Sequence, residues 1–577
     1  MSQKNLKVIK IKKRILTKDL KFIFLLLLLT TVLLATQNTL NVNSDTEQFQ
    51  TIRNSNWFWT DTEVLSDESN GNSEFPEIMA DSYGNLHVVW WDPTNYLGAG
   101  TDRDIFYRRW DADSKSWTSV QVVSTSSLES MEPDLAVDSA NNVHFVWEEN
   151  YQTILYRKWI TSTQSWSSIT PISTESTATL YSPSISIDSS DNIHVIWCDN
   201  TDILGAGGDD DLFYKLWNET KQAWSTTYLV TPESNQHSYI PKQAIDSEGN
   251  IHVVWYDQTD YLSSGIDQDI FYKYLDASTK TWQPAEVLSY MSTDISYDPD
   301  IAVDSLDNIH IVWSDESQFD GSKTDSDIFY VIYDKVASNW TVPEVISDVG
   351  DHTSYFPSID IDLEDNVYVS WEDASAYDGA DTDLDTFYRM YSSHTDTWSR
   401  TKVISTDSSS PSRFATIAVG KYGSVNIVWS DYTNLSYYGY DQDIFFKRLI
   451  GPPTEPTLAT IFPDLINTDT LNLEWSEVKG VRQYYVYRDT SYIWSVDHLD
   501  PIYTITTETQ PDTLPSTGIY YYVVVADNVH YNSSISNCVA VEYKLAHIQE
   551  FAISISMMIL VVMLVITIRI RRKRFKE

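Results

Sequence analysis

The chain has 577 residues, a formal net charge of −43 and two cysteines, Cys198 and Cys538. This length exceeds what one ordinary hydrophobic core supports, so more than one domain is expected. The excess of 82 acidic over 39 basic residues argues against nucleic acid as a partner, because phosphate binding needs clustered Lys and Arg, and two cysteines in separate predicted domains argue against a disulfide framework.

The N-terminus has the order of a secretory signal. Eight basic residues between Lys4 and Lys21 precede an apolar run from Phe22 to Ala35. The run is short for a membrane span. We predict a signal peptide over residues 1–35, cleaved near Ala35 and followed by a linker over 36–54; an uncleaved signal anchor is the alternative.

A segment that ends in tryptophan recurs through the centre of the chain, as in Asn85 to Trp90. The closing tryptophans are Trp90, Trp147, Trp197, Trp255, Trp313, Trp371 and Trp429, spaced 57, 50, 58, 58, 58 and 58 residues apart. Each unit has the pattern of four short strands separated by turn signals. Such a unit covers its sheet faces only by stacking against copies of itself. The sequence therefore predicts an all-β, seven-bladed β-propeller over residues 55–450.

The last repeat lacks an outer-strand tryptophan. The other six repeats carry one, at Trp117, Trp166, Trp224, Trp282, Trp340 and Trp398. The missing strand is found before the first repeat, where Trp59 followed by Val64-Leu65-Ser66 matches Trp117 followed by Val122-Val123-Ser124. We predict that this N-terminal strand completes the last blade and closes the ring.

Histidines occupy one equivalent position in five repeats: His87, His144, His194, His252 and His310. Tyr368 and Asn426 replace them in the last two repeats, and the blades are widely separated. These two facts favour a structural hydrogen-bonding role over a ring of metal ligands.

Acidic loops follow the second strand in every repeat except the second, which has Glu148-Glu149 and a shorter loop. An Asp follows shortly after the closing tryptophan, and an Asp-x-Asp pair opens the third strand. The candidate ligands are Asp102, Asp104, Asp209, Asp211, Asp267, Asp269, Asp325, Asp327, Asp378, Asp381, Asp383, Asp385, Asp441 and Asp443. Two interpretations are open: oxygen ligands for Ca²⁺, or carboxylates that cap turns through backbone N–H groups.

A different strand pattern begins after the repeats. Leu471 to Trp475 is followed by the tyrosine-rich Tyr484 to Tyr487, by Ile519 to Ala526 and by Cys538 to Tyr543. Residues 451–545 thereby resemble a fibronectin type III domain. The resemblance implies a β-sandwich, which would act as a spacer between the propeller and a membrane.

An uncharged run from Phe551 to Ile568 follows, long enough as a helix to span a bilayer. Arg569, Arg571, Arg572, Lys573, Arg574 and Lys576 come directly after it. By the positive-inside rule these stay in the cytoplasm. We predict a transmembrane helix over 546–569, a basic cytoplasmic tail over 570–577 and an extracellular location for the bulk of the chain.

The hairpin before each outer tryptophan, as in Asp111 to Trp117, resembles a degenerate Asp-box of the sialidase-like propellers. The resemblance implies the fold. The activity would need an arginine triad, and arginine is scarce here, with Arg103, Arg108 and Arg109 on one blade; fold alone does not imply function.

We expect a non-enzymatic, membrane-anchored surface protein that acts in binding, adhesion or as a scaffold, whose propeller face binds an extracellular protein or glycan and whose loops could take Ca²⁺ as a cofactor. The alternative is an extracellular carbohydrate-active enzyme, a sialidase-like glycoside hydrolase. Against it, the loop carboxylates repeat almost equivalently, whereas catalysis needs one asymmetric pair. Asn218, Asn339, Asn434 and Asn532 begin sequons for N-glycosylation.

Overall fold

The computed structural model describes residues 57–544, except 263, 318–324, 348, 350–351, 381, 436–440, 454 and 462–464, together with Met557, Leu560 and Met563. The predicted signal segment, linker and basic tail lie outside the described residues, as does the predicted membrane helix apart from those three positions. Among the described residues, no helix has the length and apolar character needed to cross a bilayer. The described residues from Trp59 onward belong to one compact unit.

Seven similar antiparallel sheets form the larger part of the second unit, and each has four strand positions. The inner strands are Glu74–Ala80, Ser130–Val137, Leu180–Ile187, Ser238–Ile245, Ser296–Val303, Ser354–Ile361 and Ser412–Val419. The second strands are Leu86–Asp92, Val143–Glu149, Ile193–Asp199, Ile251–Asp257, Ile309–Asp315, Val367–Asp373 and Val425–Asp431.

The third and outer strands complete each blade. The third strands are Asp104–Asp111, Thr153–Ile160, Asp211–Asn218, Asp269–Asp276, Asp327–Asp334, Asp385–Ser392 and Asp443–Ile450. The outer strand is split into two short segments: Ser116–Trp117 and Gln121–Val122, Ser165–Trp166 and Thr170–Pro171, Ala223–Trp224 and Tyr228–Leu229, Thr281–Trp282 and Glu286–Val287, Asn339–Trp340 and Glu344–Val345, Thr397–Trp398 and Lys402–Val403, and Phe58–Trp59 and Glu63–Val64. The predicted seven-bladed propeller is confirmed.

The core lies between neighbouring blades. All seven closing tryptophans are at most 1 % exposed. Between blades 3 and 4, Ile196 and Leu212 of one sheet pack with Val253 and Trp255 of the next. Blade 1 packs against blade 7 in the same way, through Trp90 and Phe446. Each sheet therefore buries its apolar faces against the neighbouring blades, including where the last blade meets the first.

The ring closes through the strand exchange that the sequence predicts. Glu63 and Val64 pair with Phe446 and Phe445 of the third strand of blade 7. The backbone N–H groups of Thr60 and Leu65 donate to the carbonyl oxygens of Arg448 and Ile444, over 2.8 and 2.7 Å. We call residues 59–66 the clasp.

The recurrent histidines are hydrogen-bonded within their own blades. In blade 1, His87 Nδ1 lies 2.7 Å from the Tyr107 hydroxyl and Nε2 lies 3.2 Å from Asp81. Asp81 also accepts the backbone and side-chain N–H groups of Asn85, over 2.9 and 2.7 Å. The repeated Asp, Asn and His positions thus fix the turn between inner and second strands, as expected.

The C-terminal sandwich, residues 455–544, has two sheets. One contains Leu465–Ile466, Val539–Tyr543, Gly518–Asp527, Gln483–Asp489 and Tyr503–Ile505; the other contains Thr470–Glu474 and Thr509–Thr513. Leu473 of the smaller sheet and Trp475, which follows that strand, share a core with Tyr484 and Val524 of the larger sheet. This is a β-sandwich; its assignment to the fibronectin type III family stays a prediction.

One end of the sandwich contacts the propeller. Arg482 forms an ion pair with Asp113 at 3.0 Å, and the side-chain amide of Asn528 donates to the carbonyl oxygen of Gly451 over 2.9 Å. Val529 packs with Ala112 and Tyr422. Ala112, Asp113 and Tyr422 lie in hairpins on one face of the propeller, here called the bottom face.

Candidate functional site

The opposite face, the top face, carries the loops between second and third strands and the connections between blades. The strand register shows why these segments lie on the same face. The start of the inner strand pairs with the end of the second strand, as Ser238 does with Asp257. Asp257 in turn pairs with Asp269, where the third strand begins. The acidic loops therefore share the top face with the first residues of every inner strand.

Every inner strand has a bulge at the same place. The register slips by one step there, for example between Glu74 and Glu77. One residue in each bulge has a positive φ, between 44° and 55°; these residues are Phe75, Glu132, Ser182, Ile240, Asp298, Phe356 and Phe414. Side chains other than glycine rarely adopt this conformation, which costs roughly 1–3 kcal/mol per residue and is found at binding and catalytic sites.

The bulges line a cavity of about 170 Å³ on the propeller axis, which we call the cup. Residues of all seven inner strands contribute to its wall. Six of the seven bulge residues precede a proline, and Ala415 replaces it in blade 7. Proline has no N–H to donate, which suits a bulge where the ladder is interrupted.

Aromatic rings form one half of the cup, on the adjacent blades 6, 7 and 1. Phe75 stacks on Phe414 with ring centroids 3.9 Å apart, and Phe356 meets Phe414 edge-on at 5.3 Å. Phe75 and Phe356 are each 37 % exposed. This half of the cup presents an apolar surface to a ligand.

Carboxyl groups face the cup from blades 2 and 5. Glu132 accepts the backbone N–H of Ser182 over 2.7 Å and the Ser182 hydroxyl over 3.1 Å. Burial raises the pKa of Glu132, and burial raises the pKa of Asp298 to about 7 in spite of the positive charge of Lys242. Both acids therefore bind a proton more tightly than ordinary surface carboxylates do.

A single lysine crosses the axis. Lys242 of blade 4 forms an ion pair with Glu77 of blade 1 at 2.9 Å. Glu77, Asp300 and Asp134 together raise the pKa of Lys242, which keeps it charged. The pKa of Asp134 is raised by burial to about 6, and Lys242 opposes that rise. The cup therefore holds one cation among several acids, arranged without seven-fold symmetry.

The second blade adds a buried acid behind Glu132. Glu148 is fully buried, and neither carboxyl oxygen has a hydrogen-bond partner. Burial, followed by the negative charge of Glu132, raises its pKa to about 9. Burial also raises the pKa of Glu372, at the equivalent position of blade 6, to about 8. Both carboxyls therefore bind a proton more tightly than an ordinary glutamate does.

The rim next to blade 2 carries Arg103 and Tyr151. The guanidinium of Arg103 lies 4.5 Å from the ring centroid of Trp91, and Trp91 stacks on Phe75. Tyr151 lies in the shortened loop of blade 2 with φ 54°. Arg108 and Arg109 are engaged elsewhere, with Asp67 and Asp111. The three clustered arginines of the sequence are thus not brought together.

The second aspartate of each Asp-x-Asp pair lies opposite the aspartate that ends the second strand, as Asp104 lies opposite Asp92. A hydroxyl group donates to each second aspartate. The donor–acceptor pairs are Ser124–Asp104, Thr231–Asp211, Ser289–Asp269, Ser347–Asp327, Ser405–Asp385 and Ser66–Asp443. These bonds come from side-chain hydroxyls and hold the third strand to the outer strand, whereas the sequence interpretation of capped turns requires backbone N–H donors. Such a donor is found at the aspartate that ends the second strand, as where the backbone N–H of Thr94 donates to Asp92 over 2.7 Å. Both interpretations of the Asp-x-Asp carboxylates stay predictions.

The first aspartates are placed less uniformly. Asp102, Asp209 and Asp267 lie against Gly100, Gly207 and Gly265, where an added Cβ would come within 2.8 Å of the carboxylate. Asp325, Asp383 and Asp441 are half-buried and Asp378 is exposed, while Asp381 lies outside the described residues. No group of three His, Cys, Asp or Glu side chains among the described residues is arranged to hold a metal ion.

Several of these carboxyl groups nevertheless have a buried oxygen that accepts no hydrogen bond. Buried oxygens without a hydrogen-bond partner belong to Asp102, Asp104, Asp209, Asp211 and Asp269. Burial raises the pKa of Asp104 and of Asp211 to about 7, and that of Asp269 and of Asp443 to about 6. A bound proton or a cation would satisfy them equally, so calcium binding stays a prediction.

Calcium titration tests that prediction. We expect calcium to release or absorb heat and to raise the melting temperature at pH 8, where these carboxyls lack protons. Asp104→Asn should reduce both effects, whereas Asp202→Asn, an exposed carboxylate of a top-face loop, should leave them intact. Absence of heat together with an unchanged melting temperature would eliminate calcium as a ligand.

The predicted sequons lie at accessible places. Asn339, Asn434 and Asn532 are exposed, and Asn218 is half-buried in a bottom-face hairpin. Their glycosylation stays a prediction.

The cup is absent from the sequence predictions, because Glu132, Asp298 and Lys242 belong to none of the recurrent motifs. The signal was present, because the prolines at 76, 133, 183, 241, 299 and 357 follow the same register as the closing tryptophans. The residue before each of these prolines varies from blade to blade, and these residues line the cup on the propeller axis.

No protein-family model and no curated protein matches the chain. Similar solved structures include a fungal alcohol oxidase of the AA5 family in complex with copper (11 % identity, 84 % of this chain and 99 % of that one, TM-score 0.47). A PL25 ulvan lyase (9 %, 67 % and 95 %, TM-score 0.43) and the intramolecular trans-sialidase from Ruminococcus gnavus (9 %, 67 % and 96 %, TM-score 0.36) are also similar. Similarities this weak carry no argument about chemistry, and the propeller fold stands on the sheet topology.

Proposed function

We propose that the protein is a membrane-anchored surface protein that binds extracellular carbohydrate in the cup of its propeller. The observation that carries the proposal is the asymmetry of the cup: aromatic rings on three adjacent blades, with Glu132 and Asp298 on two others. A concave site with an apolar wall and a few converging polar groups of perturbed pKa is the expected form of a ligand site.

Sugars match this lining chemically. The C–H groups of a pyranose ring would pack against the exposed parts of the Phe75 and Phe356 rings, and its hydroxyl or amino groups would hydrogen-bond to the carboxyls. The surface location rests on the sequence, from the signal-like segment 1–35 and the apolar run Phe551 to Ile568.

A second candidate function is cleavage of the bound glycan. Asp298, with its pKa raised to about 7, has the proton affinity of a general acid at neutral pH. The difference in pKa between Asp298 and an ordinary carboxylate would give the unequal pair of acids that catalysis needs. The repeated loop carboxylates do not provide such a pair.

Arrayed glycans, including uronic, sialic and amino sugars, test the proposal with the full chain in detergent. We expect binding that falls roughly 10- to 100-fold in Asp298→Asn, the loss of a hydrogen bond to a charged group, and that is unchanged in Asp202→Asn. The same variants are assayed on chromogenic glycosides and polysaccharides. Cleavage lost in Asp298→Asn would assign the enzyme, and failure to bind any arrayed glycan would overturn the carbohydrate proposal.

A further inference from the structure

The sandwich carries an exposed aromatic pair at one end. Trp494 is 82 % exposed and Tyr492 is 46 % exposed, and their ring centroids lie 4.3 Å apart. Tyr492 also meets Tyr521 edge-on at 5.8 Å, while Ile493 between them is buried and holds the loop to the sandwich. Exposed large apolar groups that cluster mark interaction sites.

Strand register fixes which end this is. Asp489, just before the loop, lies opposite Tyr521, and Tyr543, the last residue of the final strand, lies opposite Gly518. The central strand Gly518–Asp527 is antiparallel to both neighbours, so both of those strands finish at its beginning. Ile519, 46 % exposed, is at the same end. The aromatic loop and the chain's exit from the sandwich are therefore together.

The other end of the same sheet faces the propeller. Gln483 lies opposite Asp527 there, next to Arg482 and Asn528, which contact the bottom face. The aromatic loop consequently points away from the propeller and its cup. It belongs to the part of the chain that leads into the apolar run Phe551 to Ile568.

The length of the connection limits where a membrane could be. Seven residues separate Tyr543 from Phe551, and the eight residue steps between them reach at most about 29 Å. Tryptophan and tyrosine favour the interface between lipid and water, where their rings are buried among headgroups and their N–H and O–H groups stay hydrated.

We infer that Tyr492 and Trp494 form a membrane-interface anchor that seats the base of the sandwich on the lipid headgroups. This inference rests on the predicted membrane segment and not on the ligand of the cup. The loop from Asp489 to Asp500 contains no Lys or Arg and four acidic or histidine side chains beyond its aromatics, Asp489, Asp497, His498 and Asp500. The contact is thus apolar and independent of anionic lipid.

Lipid quenching tests the inference with the full chain reconstituted in phosphatidylcholine vesicles. Part of the lipid carries bromine near the headgroup end of its acyl chains, where it quenches indole fluorescence. The run Phe551 to Ile568 has no tryptophan, so any quenched tryptophan belongs to the ectodomain. We expect quenching that disappears in Trp494→Ala, persists in Tyr531→Ala at the opposite end of the sandwich, and is unchanged by added salt.

Each other outcome overturns the inference. Quenching that survives in Trp494→Ala would assign the contact to a different tryptophan. Absence of quenching in the wild-type chain, or failure of the chain to float with the vesicles, would place the aromatic pair away from lipid. Glycan binding measured on the same vesicles keeps this result separate from the function of the cup.

Discussion

The ectodomain is expected to be most stable near pH 5 and to lose stability as the pH rises towards 8. Among the acids whose pKa burial raises, those with values from about 6 to about 9 are Glu68, Asp104, Asp134, Glu148, Asp211, Asp269, Asp298, Asp360, Glu372 and Asp443. Their ordinary values are 3.8 for Asp and 4.5 for Glu, so between pH 4 and their raised values the folded protein binds more protons than the unfolded chain.

The sign follows from proton linkage. A carboxyl whose pKa is raised by folding contributes fully below its unfolded pKa, and this contribution is lost as the pH climbs to the folded value. Each extra proton that the folded protein binds lowers the free energy of unfolding by about 1.4 kcal/mol per pH unit as the pH rises, so the loss of stability continues until these acids have released their protons. His144 and His530, whose pKa values are lowered by burial, act in the opposite direction.

Stability also falls on the acidic side of the maximum. Hydrogen bonds from the turn histidines and asparagines lower the pKa of the Asp residues that cap the inner hairpins: Asp81, Asp138, Asp188, Asp246 and Asp304. Their contribution is present above about pH 4 and disappears as they take up protons. The raised-pKa acids lower stability above the optimum pH and the turn aspartates lower it below, so we expect a narrow maximum of stability between the two.

Thermal unfolding from pH 3 to pH 9, in low salt with a chelator, measures this curve. The double variant Asp104→Asn, Asp211→Asn should flatten the alkaline side, since it removes two of the titrating groups. Asp202→Asn should leave the curve as it is. A melting temperature that rises from pH 5 to pH 8 in the wild-type protein would contradict the assignment.

Removal of the clasp should abolish cooperative folding of the propeller. Deletion of residues 55–67 leaves the carbonyl oxygens of Ile444 and Arg448 without their donors and Asp443 without the Ser66 hydroxyl. It also removes the partners of blade 1, where Trp117 donates to Glu63 over 3.1 Å and Arg108 pairs with Asp67 at 2.6 Å. The freed edge of blade 7 becomes a template for pairing with another chain.

Two single substitutions distinguish loss of the clasp from a nonspecific loss of stability. Leu65 is fully buried between blades 7 and 1, so Leu65→Ala should cost about 2–4 kcal/mol while unfolding stays cooperative. Asp61→Ala, at an exposed position of the same segment, should change little. Calorimetry together with light scattering gives the readout, and a single unchanged transition in the deletion variant would show that the ring closes without the clasp.

The architecture could be predicted from the sequence because seven copies of one pattern make the register unambiguous. The tryptophan spacing identifies the blades. The outer-strand pattern at Trp59, which precedes the first repeat, identifies the clasp. The 50-residue second repeat correctly marks an altered blade, and its shortened loop turns through Asn150 and Tyr151, both with φ 54°.

The cup could not be predicted in the same way. Its character comes from positions where the copies differ, and a repeat search discards differences. Burial also changed the chemistry: Glu148 looks like any acidic residue in the sequence, yet full burial without a partner raises its pKa to about 9. The loop aspartates stand out in the sequence because they repeat, and most of their hydrogen bonds are structural.

Strand exchange at the clasp has a mechanical consequence. The chain leaves the propeller directly from Asp443–Ile450, which has the second strand of blade 7 on one side and the clasp on the other. A pull from the C-terminal side therefore enters a strand with bonded neighbours on both edges. We expect a pull along this strand to load the hydrogen bonds of both neighbours at once, so that the last blade resists extraction more than a strand bonded on one edge would.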